Sequence, residues 1–228
     1  MYKIYILLLF LIPALFAQDN PEVKKPGRPG VFTSATPGIP FLASRPKPGI
    51  LQPEDIADFE KASASVQTLI RKALPLAGQG LSYKMGSADP GSGGMDCSGT
   101  VYYALQEAGI SDVPRSSDEQ YQWAWKAHTF RAVNSTSAKG FEWAELRPGA
   151  LLFWTGTYNT GERNPPVSHV MIYLGKRKSD GRPVMFGASD GRSYEGKQRW
   201  GVGVFDFSLP ASPGKARFIG YADIPGLL

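Results

Sequence analysis

Cysteine is nearly absent from this chain, since only Cys97 carries a thiol among its 228 residues. A single cysteine cannot form a disulfide within the chain, which excludes the disulfide framework that small exported proteins commonly use. On the count alone, two interpretations of Cys97 stay open. It is either a small buried apolar residue with an inert thiol or a reactive nucleophile.

Histidine is also scarce, with only His128 and His169. Because so few histidines accompany one cysteine, the sequence holds no paired ligand motif of the zinc-binding kind, and we predict neither a metal nor another cofactor. His128 follows a polar stretch, where we expect it to be solvated or to cap a helix. His169 begins a segment that alternates like a strand, and a histidine at such a position can act as an acid or base.

Long apolar runs are missing apart from the segment between Ile4 and Ala17, which follows Lys3. This run is shorter than the roughly 20 residues that a membrane-spanning helix needs. Its position and length are typical of a secretory signal peptide, so we expect residues 1–17 to direct export and to be removed after Ala17. The mature chain is then predicted to have no membrane span.

Excess charge is lacking in most of the chain. The formal net charge is +5, of which residues 18–53 contribute +3 and Lys3 contributes +1, leaving +1 for residues 54–228. A domain so close to neutral does not favour nucleic-acid binding. Because residues 18–53 also hold eight of the 19 prolines, we predict a basic, disordered linker there and one folded domain over residues 54–228.

Two helices are predicted from spacing and capping. Apolar side chains recur at intervals of three and four from Ile56 to Ala73, and Pro75 ends the pattern. Further along, Ser116 and Glu119 have the spacing of a capping box, which predicts the start of another helix.

A helix between these two contains the cysteine. The stretch GSGGMDCSGTVYYALQEAG places Cys97 directly after a glycine cluster, in the first turn of an amphipathic helix that ends at Gly109. Unpaired backbone N–H groups and the positive end of the helix dipole lie at such a terminus. We therefore expect the pKa of the thiol to be lowered, which favours a nucleophile at this position.

The rest of the chain predicts strands. Leu151 to Thr155 is a short apolar run, and SHVMIYLG alternates so that His169, Met171 and Tyr173 share one face. PVMFGAS, GVGVFDF and ARFIGYADI are further strand candidates. Because the helices come first and the strands follow, the predicted class is α+β with an antiparallel sheet.

Four blocks of the sequence together resemble the NlpC family of bacterial cell-wall cysteine endopeptidases. They are DCSGTVYYALQEAGI, VPRSSDEQY, LRPGALLFW and SHVMIYLG, in that order. The resemblance covers roughly residues 56–223. It implies a papain-like α+β fold in which the nucleophile at a helix N-terminus packs against an antiparallel sheet that carries the histidine.

The resemblance also implies roles for single residues. Cys97 would be the nucleophile and His169 the general base, with Tyr83 close to the oxyanion site. Asp96 and Ser98 would help to bind the free amino end of a peptidoglycan stem peptide. For Asp96 a helix cap is the alternative, and the two roles can coexist. Arg115 and Ser116 match the family's Pro-Arg-Ser block, for which we favour the capping box.

The sequence departs from the family at the third polar residue, which orients the histidine and here falls on Gly187. If Asp180 and Gly181 form a two-residue hairpin, Met171 lies opposite Asp190, and Asp190 then shares the face of His169. We therefore predict Asp190 as the orienting group. A shift of one residue would substitute Ser189, and a backbone carbonyl or water could also serve.

The predicted function is that of an exported peptidoglycan hydrolase. The expected reaction is Cys-His cleavage of a stem-peptide amide, with the bond between D-glutamate and the diamino acid chosen from the resemblance alone. Two alternatives stay open, a related amidase or acyl transferase and a catalytically silent cell-wall binding module. The partners are peptidoglycan stem peptides without nucleic acid, and the expected location, after secretion across the inner membrane, is periplasmic or extracellular.

Overall fold

The computed structural model describes residues 47–137, 140–210 and 214–227. The predicted signal peptide, residues 1–17, and residues 18–46 of the predicted linker lie outside the described residues. Within the described ranges, no helix combines the length and the apolar character needed to cross a bilayer.

The described residues contain three α-helices: α1 (Ala64–Ala73), α2 (Cys97–Glu107) and α3 (Ser117–Lys126). Ser63 caps α1, because its Oγ accepts a backbone N–H at 3.3 Å. The prediction that this helix begins at Ile56 is wrong, since two 3-10 turns and the left-handed Asp58 (φ 62°) precede Ser63. The capping box of Ser116 and Glu119 at the start of α3 is confirmed.

The described residues also contain eight strands: β1 (Ser82–Tyr83), β2 (Gly94–Met95), β3 (Phe130–Ala132), β4 (Leu151–Thr155), β5 (Val167–Lys176), β6 (Pro183–Tyr194), β7 (Lys197–Asp206) and β8 (Arg217–Ala222). Six of them form one antiparallel sheet in the order β3-β8-β4-β5-β6-β7, and β1 pairs with β2 in parallel. This arrangement confirms the predicted α+β class with an antiparallel sheet.

The turn between β5 and β6 is longer than the predicted two-residue hairpin. β5 ends at Lys176 and β6 begins at Pro183. Within the turn, the buried Arg177 guanidinium binds the Asp180 carboxylate, and the Arg177 N–H donates to the Arg182 carbonyl at 2.8 Å. These bonds stabilise a wider loop. In it Asp180 accepts hydrogen bonds from Arg177 and is not a corner residue of a two-residue turn.

The wider turn and an irregularity in the pairing between Tyr173 and Gly175 change the strand register. Ile172 lies opposite Phe186, and continuing that register along β5 sets Met171 against Gly187. The predicted pairing of Met171 with Asp190 is therefore wrong. Asp190 instead pairs with β7 at Trp200.

The sheet separates two apolar layers. One face carries Val170, Ile172 and Leu174 and packs against α1 and α2. The other face carries Met171 and Tyr173 together with a group of aromatic side chains. The predicted alternation of β5 is confirmed, and each aliphatic side chain buried in these layers contributes about 1.5–3 kcal/mol to stability.

Residues 48–51, in the last part of the predicted linker, pack against the folded domain. The Gly49 N–H donates to the Val204 carbonyl at 3.1 Å, and the Val204 N–H donates back at 3.0 Å. Leu51 is 5% exposed and joins the core. The predicted linker boundary at residue 53 is therefore wrong, because residues 48–51 belong to the folded unit.

Candidate active site

The N-terminus of α2 begins at a buried carboxylate. Asp96 is the N-cap, since its Oδ1 accepts the Gly99 N–H at 2.6 Å and its Oδ2 accepts the Gly86 N–H at 2.7 Å. Both terminal nitrogens of Arg115 donate to the same carboxylate, at 3.0 and 2.8 Å. Because both oxygens are engaged, Asp96 fixes the point at which the helix starts and the orientation of Cys97, the next residue.

Ser98 belongs to the same network. Its Oγ donates to Asp96 Oδ1 at 3.3 Å and accepts from Arg115 at 3.1 Å. The helix-cap role of Asp96, left open by the sequence, is confirmed. Binding of a substrate amino group by Asp96 and Ser98 stays a prediction, and that amine would have to reach a carboxylate that Arg115 already covers.

A glycine allows the loop before the helix to lie close to it. A Cβ on Gly99 would stand 2.1 Å from the carbonyl oxygen of Ser87. That carbonyl accepts the Asp96 N–H at 3.0 Å. Only glycine at position 99 permits this contact, which ties the loop after β1 to the first turn of α2.

The thiol of Cys97 is buried at the first position of α2. Burial, and then the negative charge of Asp96, raise the pKa of Cys97 above its ordinary value. Backbone N–H groups of Val170 and Ser98 and the Tyr83 hydroxyl act in the opposite direction but do not prevail. The expectation of a lowered pKa is therefore wrong, because burial outweighs the helix terminus and the thiol is protonated at pH 7.

Tyr83, for which the resemblance implies a place close to the oxyanion site, lies beside the thiol. Its Oη stands 4.0 Å from Cys97 Sγ. Burial, and then the charge on Cys97, raise the pKa of Tyr83 far above its usual range. The hydroxyl therefore keeps its proton and can donate to sulfur, whereas its part in stabilising an oxyanion stays a prediction.

His169 is a buried side chain on β5, only 6% exposed. Its ring meets the ring of Trp154, its cross-strand partner on β4, edge to face with centroids 5.6 Å apart. Burial, and then the positive charge of Arg192, hold the pKa of His169 well below its usual range. The imidazole is therefore neutral at pH 7, which is the state that a general base requires.

One ring nitrogen of His169 has no hydrogen-bond partner in the described part of the chain. Its Nε2 is buried, and no hydrogen-bond partner for it exists among the residues that the structure describes. A buried polar atom without a partner costs free energy, so such atoms are uncommon in folded proteins.

At Gly187, where the resemblance implies a third polar residue, the buried side chain of Met171 packs against the backbone. A Cβ on Gly187 would stand 3.0 Å from Met171 Cε and 3.1 Å from its Cγ. Met171 is fully buried, so its side chain fills the space that a polar residue at position 187 would need. A polar side chain at position 187 would therefore fit only if Met171 were also replaced or moved.

Neither predicted substitute for the third residue lies at Nε2 of His169. Asp190 is exposed, Ser189 is buried, and both line the same cavity as His169. The register that supported Asp190 is wrong, and Nε2 has no partner in the described part of the chain. The orienting role of Asp190 stays a prediction, supported only by the shared cavity.

The backbone of β5 links the two candidate catalytic residues, Cys97 and His169. Cys97 Sγ receives the N–H of Val170, the residue after His169. Among the described side chains, no hydrogen bond joins the thiol to the imidazole. The structure therefore brings Cys97 to the strand that carries His169.

A cavity of about 860 Å³ lies beside His169, and the buried Cys97 is not among the residues that line it. Tyr83, His169 and Arg192 line it, together with Tyr158 from the loop after β4 and Lys215 from the segment before β8. Within the described ranges, no cluster of three or more His, Cys, Asp or Glu side chains could hold a metal ion.

Arg192 is the functional candidate that the sequence did not reveal. Its guanidinium lies over the Trp154 ring, 4.3 Å from the centroid. Its positive charge also acts on both Cys97 and His169. A lone arginine in the stretch SDGRSYEGKQ forms no motif, so only the fold shows that it reaches the site.

Comparison with known proteins agrees with this geometry. A sequence model of the NlpC/P60 family matches residues 80–192, the segment that contains Tyr83, Cys97, His169 and Arg192.

Three curated proteins are similar to this chain. It is 33% identical over 124 residues to the bifunctional muramidase/DL-endopeptidase CwlT of Bacillus subtilis (strain 168), covering 54% of this chain and 29% of that protein. It is 33% identical over 96 residues to the gamma-DL-glutamyl hydrolase of the same organism, covering 42% and 18%. It is 29% identical over 123 residues to the murein DD-endopeptidase MepH of Escherichia coli (strain K12), covering 54% and 39%.

The chain thus spans less than two fifths of the length of each of these relatives. The likeness falls on the part that holds the capped cysteine helix and the histidine strand. Through residues 80–192, the chain belongs to the NlpC/P60 family.

Proposed function

We propose that the protein is a peptidoglycan hydrolase that cleaves a stem-peptide amide with Cys97 as nucleophile. His169 takes the thiol proton as sulfur attacks the carbonyl carbon, and it returns that proton to the leaving amine as the C–N bond breaks. Water then attacks the thioester, with His169 as base, which releases the acid and restores the thiol. No cofactor enters this sequence of steps.

One observation carries the proposal. Cys97 lies at the N-terminus of a helix capped by a fully bonded Asp96, with its sulfur against Tyr83 and against β5 next to a neutral His169. Because the thiol and the imidazole are both neutral at pH 7, the thiolate forms only as the proton moves to His169. We therefore expect the activity to be steady over a broad pH range near neutrality.

The proposed bond is the one between D-glutamate and the diamino acid. Two relatives carry names that refer to DL-endopeptidase and gamma-DL-glutamyl hydrolase activity, whereas the third is named a DD-endopeptidase. The products distinguish these bonds, since the first cut leaves a γ-D-glutamyl carboxyl end and the second separates two D-configured centres.

The test is digestion of purified peptidoglycan with mass analysis of the fragments. We expect Cys97→Ala to abolish product formation while keeping the fold, because the change removes the nucleophile and little volume. His169→Ala is expected to lower kcat by about 10³-fold or more, since base and nucleophile act as a unit. Retained hydrolysis in Cys97→Ala would exclude this mechanism.

His128→Asn is the matched control for His169→Ala. His128 is exposed and has a φ of 58°, a conformation that asparagine tolerates. We expect this variant to hydrolyse peptidoglycan as the unmodified protein does. Mass analysis also separates this cut from the alternatives, because an amidase hydrolyses a different amide and an acyl transferase leaves an added group on the product.

A silent cell-wall binding module is the second candidate, and two observations favour it. Nε2 of His169 is buried without a partner among the described residues, and burial raises the pKa of Cys97. Such a module would bind peptidoglycan fragments without releasing new ends. Release of new ends therefore separates the two candidates. Alkylation by iodoacetamide instead checks the raised pKa of Cys97, which both candidates share: the thiol should react slowly at pH 6 and faster as the pH rises above about 8.5.

We further propose that the protein is exported, to the periplasm or beyond the cell. The support is the sequence of residues 1–17, which lie outside the described residues. Cell fractionation with N-terminal sequencing tests this proposal, and an intact Met1 on the cellular protein would contradict it.

A further inference from the structure

A bulge in the long hairpin of β6 and β7 directs Arg192 into the site. The pairing of the two strands shifts register between Asp190 and Ser193, and Gly191 has a φ of 102°. Bulges of this kind bend a strand and re-aim one side chain, and they are frequent next to active sites. Here the re-aimed side chain is the Arg192 guanidinium, which lies over Trp154 and lines the cavity.

The Arg192 guanidinium has no acidic partner among the described residues, where no carboxylate lies within ion-pair distance of it. Six other arginines each have such a partner, whereas the ion pairs of the described residues include none for Arg71, Arg199 or Arg217. Partial burial lowers the pKa of Arg192 to about 10, so it still carries its charge at pH 7. A partly buried cation without a counter-charge is costly to keep unless a ligand supplies that charge.

The position of the Arg192 guanidinium indicates the kind of ligand that it binds. Arg192 acts electrostatically on both Cys97 and His169, so an anion bound to it would lie close to the reacting carbonyl. Arginine presents a planar fork of donors that matches a carboxylate with two parallel hydrogen bonds. A γ-linked glutamyl residue keeps its α-carboxylate free, a few bonds away from the amide that is cut.

We propose that Arg192 binds a free carboxylate of the stem peptide next to the scissile amide, and that it thereby selects acidic over amidated peptides. This inference rests on the proposed function for its substrate class. Two sources of the carboxylate share this chemistry, the α-carboxylate of the γ-D-glutamyl residue and the carboxylate of the diamino acid that leaves.

The test uses four synthetic tripeptides, L-alanyl-γ-D-glutamyl-L-lysine and its forms amidated at the glutamyl carboxylate, at the lysine carboxylate or at both. For the unmodified protein we expect kcat/KM for the acid to exceed that for one amidated form by about 10- to 100-fold, the value of one charge-assisted hydrogen-bonded pair. The amide that causes the loss identifies which carboxylate Arg192 binds.

The informative variant is Arg192→Gln, with Lys215→Gln as its matched control. Both side chains line the cavity and both changes remove one positive charge, but Lys215 is exposed. We expect Arg192→Gln to bring the acid-to-amide ratio close to one and Lys215→Gln to keep it. A ratio that is unchanged in Arg192→Gln, with both substrates slowed equally, would mean that Arg192 only supports the fold, and it would overturn the inference.

Binding separates this inference from the proposed function. Calorimetric titration of the same tripeptides into Cys97→Ala protein, with and without Arg192→Gln, measures the carboxylate preference without turnover. If the acid binds more tightly and Arg192→Gln removes that preference while no tripeptide is cleaved by the unmodified protein, the inference holds and the proposed function fails. If the acid and the amides bind equally, the inference fails whatever the turnover.

Discussion

The two halves of the candidate site are built in different ways. At the end of α2, each oxygen of Asp96 has at least two hydrogen-bond donors, and the cap, the loop and Arg115 fix one another. Around His169 on β5, Trp154 contacts the ring, and Nε2 has no partner in the described chain.

This difference shows two ways of positioning a catalytic group. Hydrogen bonds to a carboxylate fix both the place and the direction of the helix that carries Cys97. Packing against Trp154 can restrict where the imidazole lies, but it does not decide which ring nitrogen carries the proton. We therefore expect the polar half to be sensitive to loss of a charge and the apolar half to be sensitive to changes of shape.

The largest effect should come from breaking the polar half. Asp96→Ala leaves Arg115 and the N–H groups of Gly86 and Gly99 without their acceptor, so we expect unfolding to become easier by about 3–5 kcal/mol. Denaturant titration measures this change. Asp89→Ala is the control, because Asp89 also caps a short helix but is exposed, and it should cost about 1 kcal/mol. Equal losses in the two variants would contradict the contrast.

A smaller effect should come from adding a polar side chain to the apolar half. Gly187→His forces a Cβ against Met171, which we expect to destabilise the protein by about 1–3 kcal/mol. Met171→Ala in the same chain opens that space, so the double variant should lose less stability than the sum of the single ones. Additive losses, measured by denaturant titration, would show that Met171 does not occupy the position.

The pH dependence of the free energy of unfolding should distinguish the half of the site around His169 from the half around Asp96. Below about pH 6.5 the unfolded chain protonates His169 whereas the folded protein, with its lowered pKa, does not. The free energy of unfolding should therefore fall as the pH falls, by up to about 1.4 kcal/mol per pH unit. His169→Gln should remove this component, and His128→Asn should keep it. An unchanged slope in His169→Gln would show that other groups cause it.

The smallest effect should come from Asp190→Asn. Asp190 is exposed, and no hydrogen bond from it to Nε2 of His169 exists among the described residues. If its predicted orienting role does not hold, kcat should change by about twofold or less. Steady-state hydrolysis of the acidic tripeptide measures this. A loss of tenfold or more would restore Asp190 as the group that orients the imidazole.

Local signals in the sequence predicted the cysteine half of the site well. A glycine cluster, a capping aspartate and an apolar stripe all lie within residues 91–109, and they place Cys97 on α2 correctly. The burial that raises the pKa of Cys97 depends on β5 and on Tyr83, which pack against the helix from distant parts of the sequence. The direction of that shift could not be predicted from the helix alone.

Long-range register was the part that the sequence could not provide. Asp180 and Gly181 have the composition of a two-residue turn, but Arg177 binds Asp180 and also Glu195 from the end of the next hairpin. This contact joins residues 18 positions apart and widens the turn. The wider turn and a further irregularity of the pairing between Tyr173 and Gly175 together set which β6 residue faces Met171.

The short pairing of residue 49 with β7 has a consequence for solubility. β7 is the last strand of the sheet, and an open edge strand offers free backbone groups to other chains. Here the N–H of Val202 donates to the Leu81 carbonyl and that of Val204 to the Gly49 carbonyl, both at 3.0 Å. A chain shortened to begin at residue 54 would uncover the second of these groups, and we expect it to self-associate where the longer chain stays monodisperse.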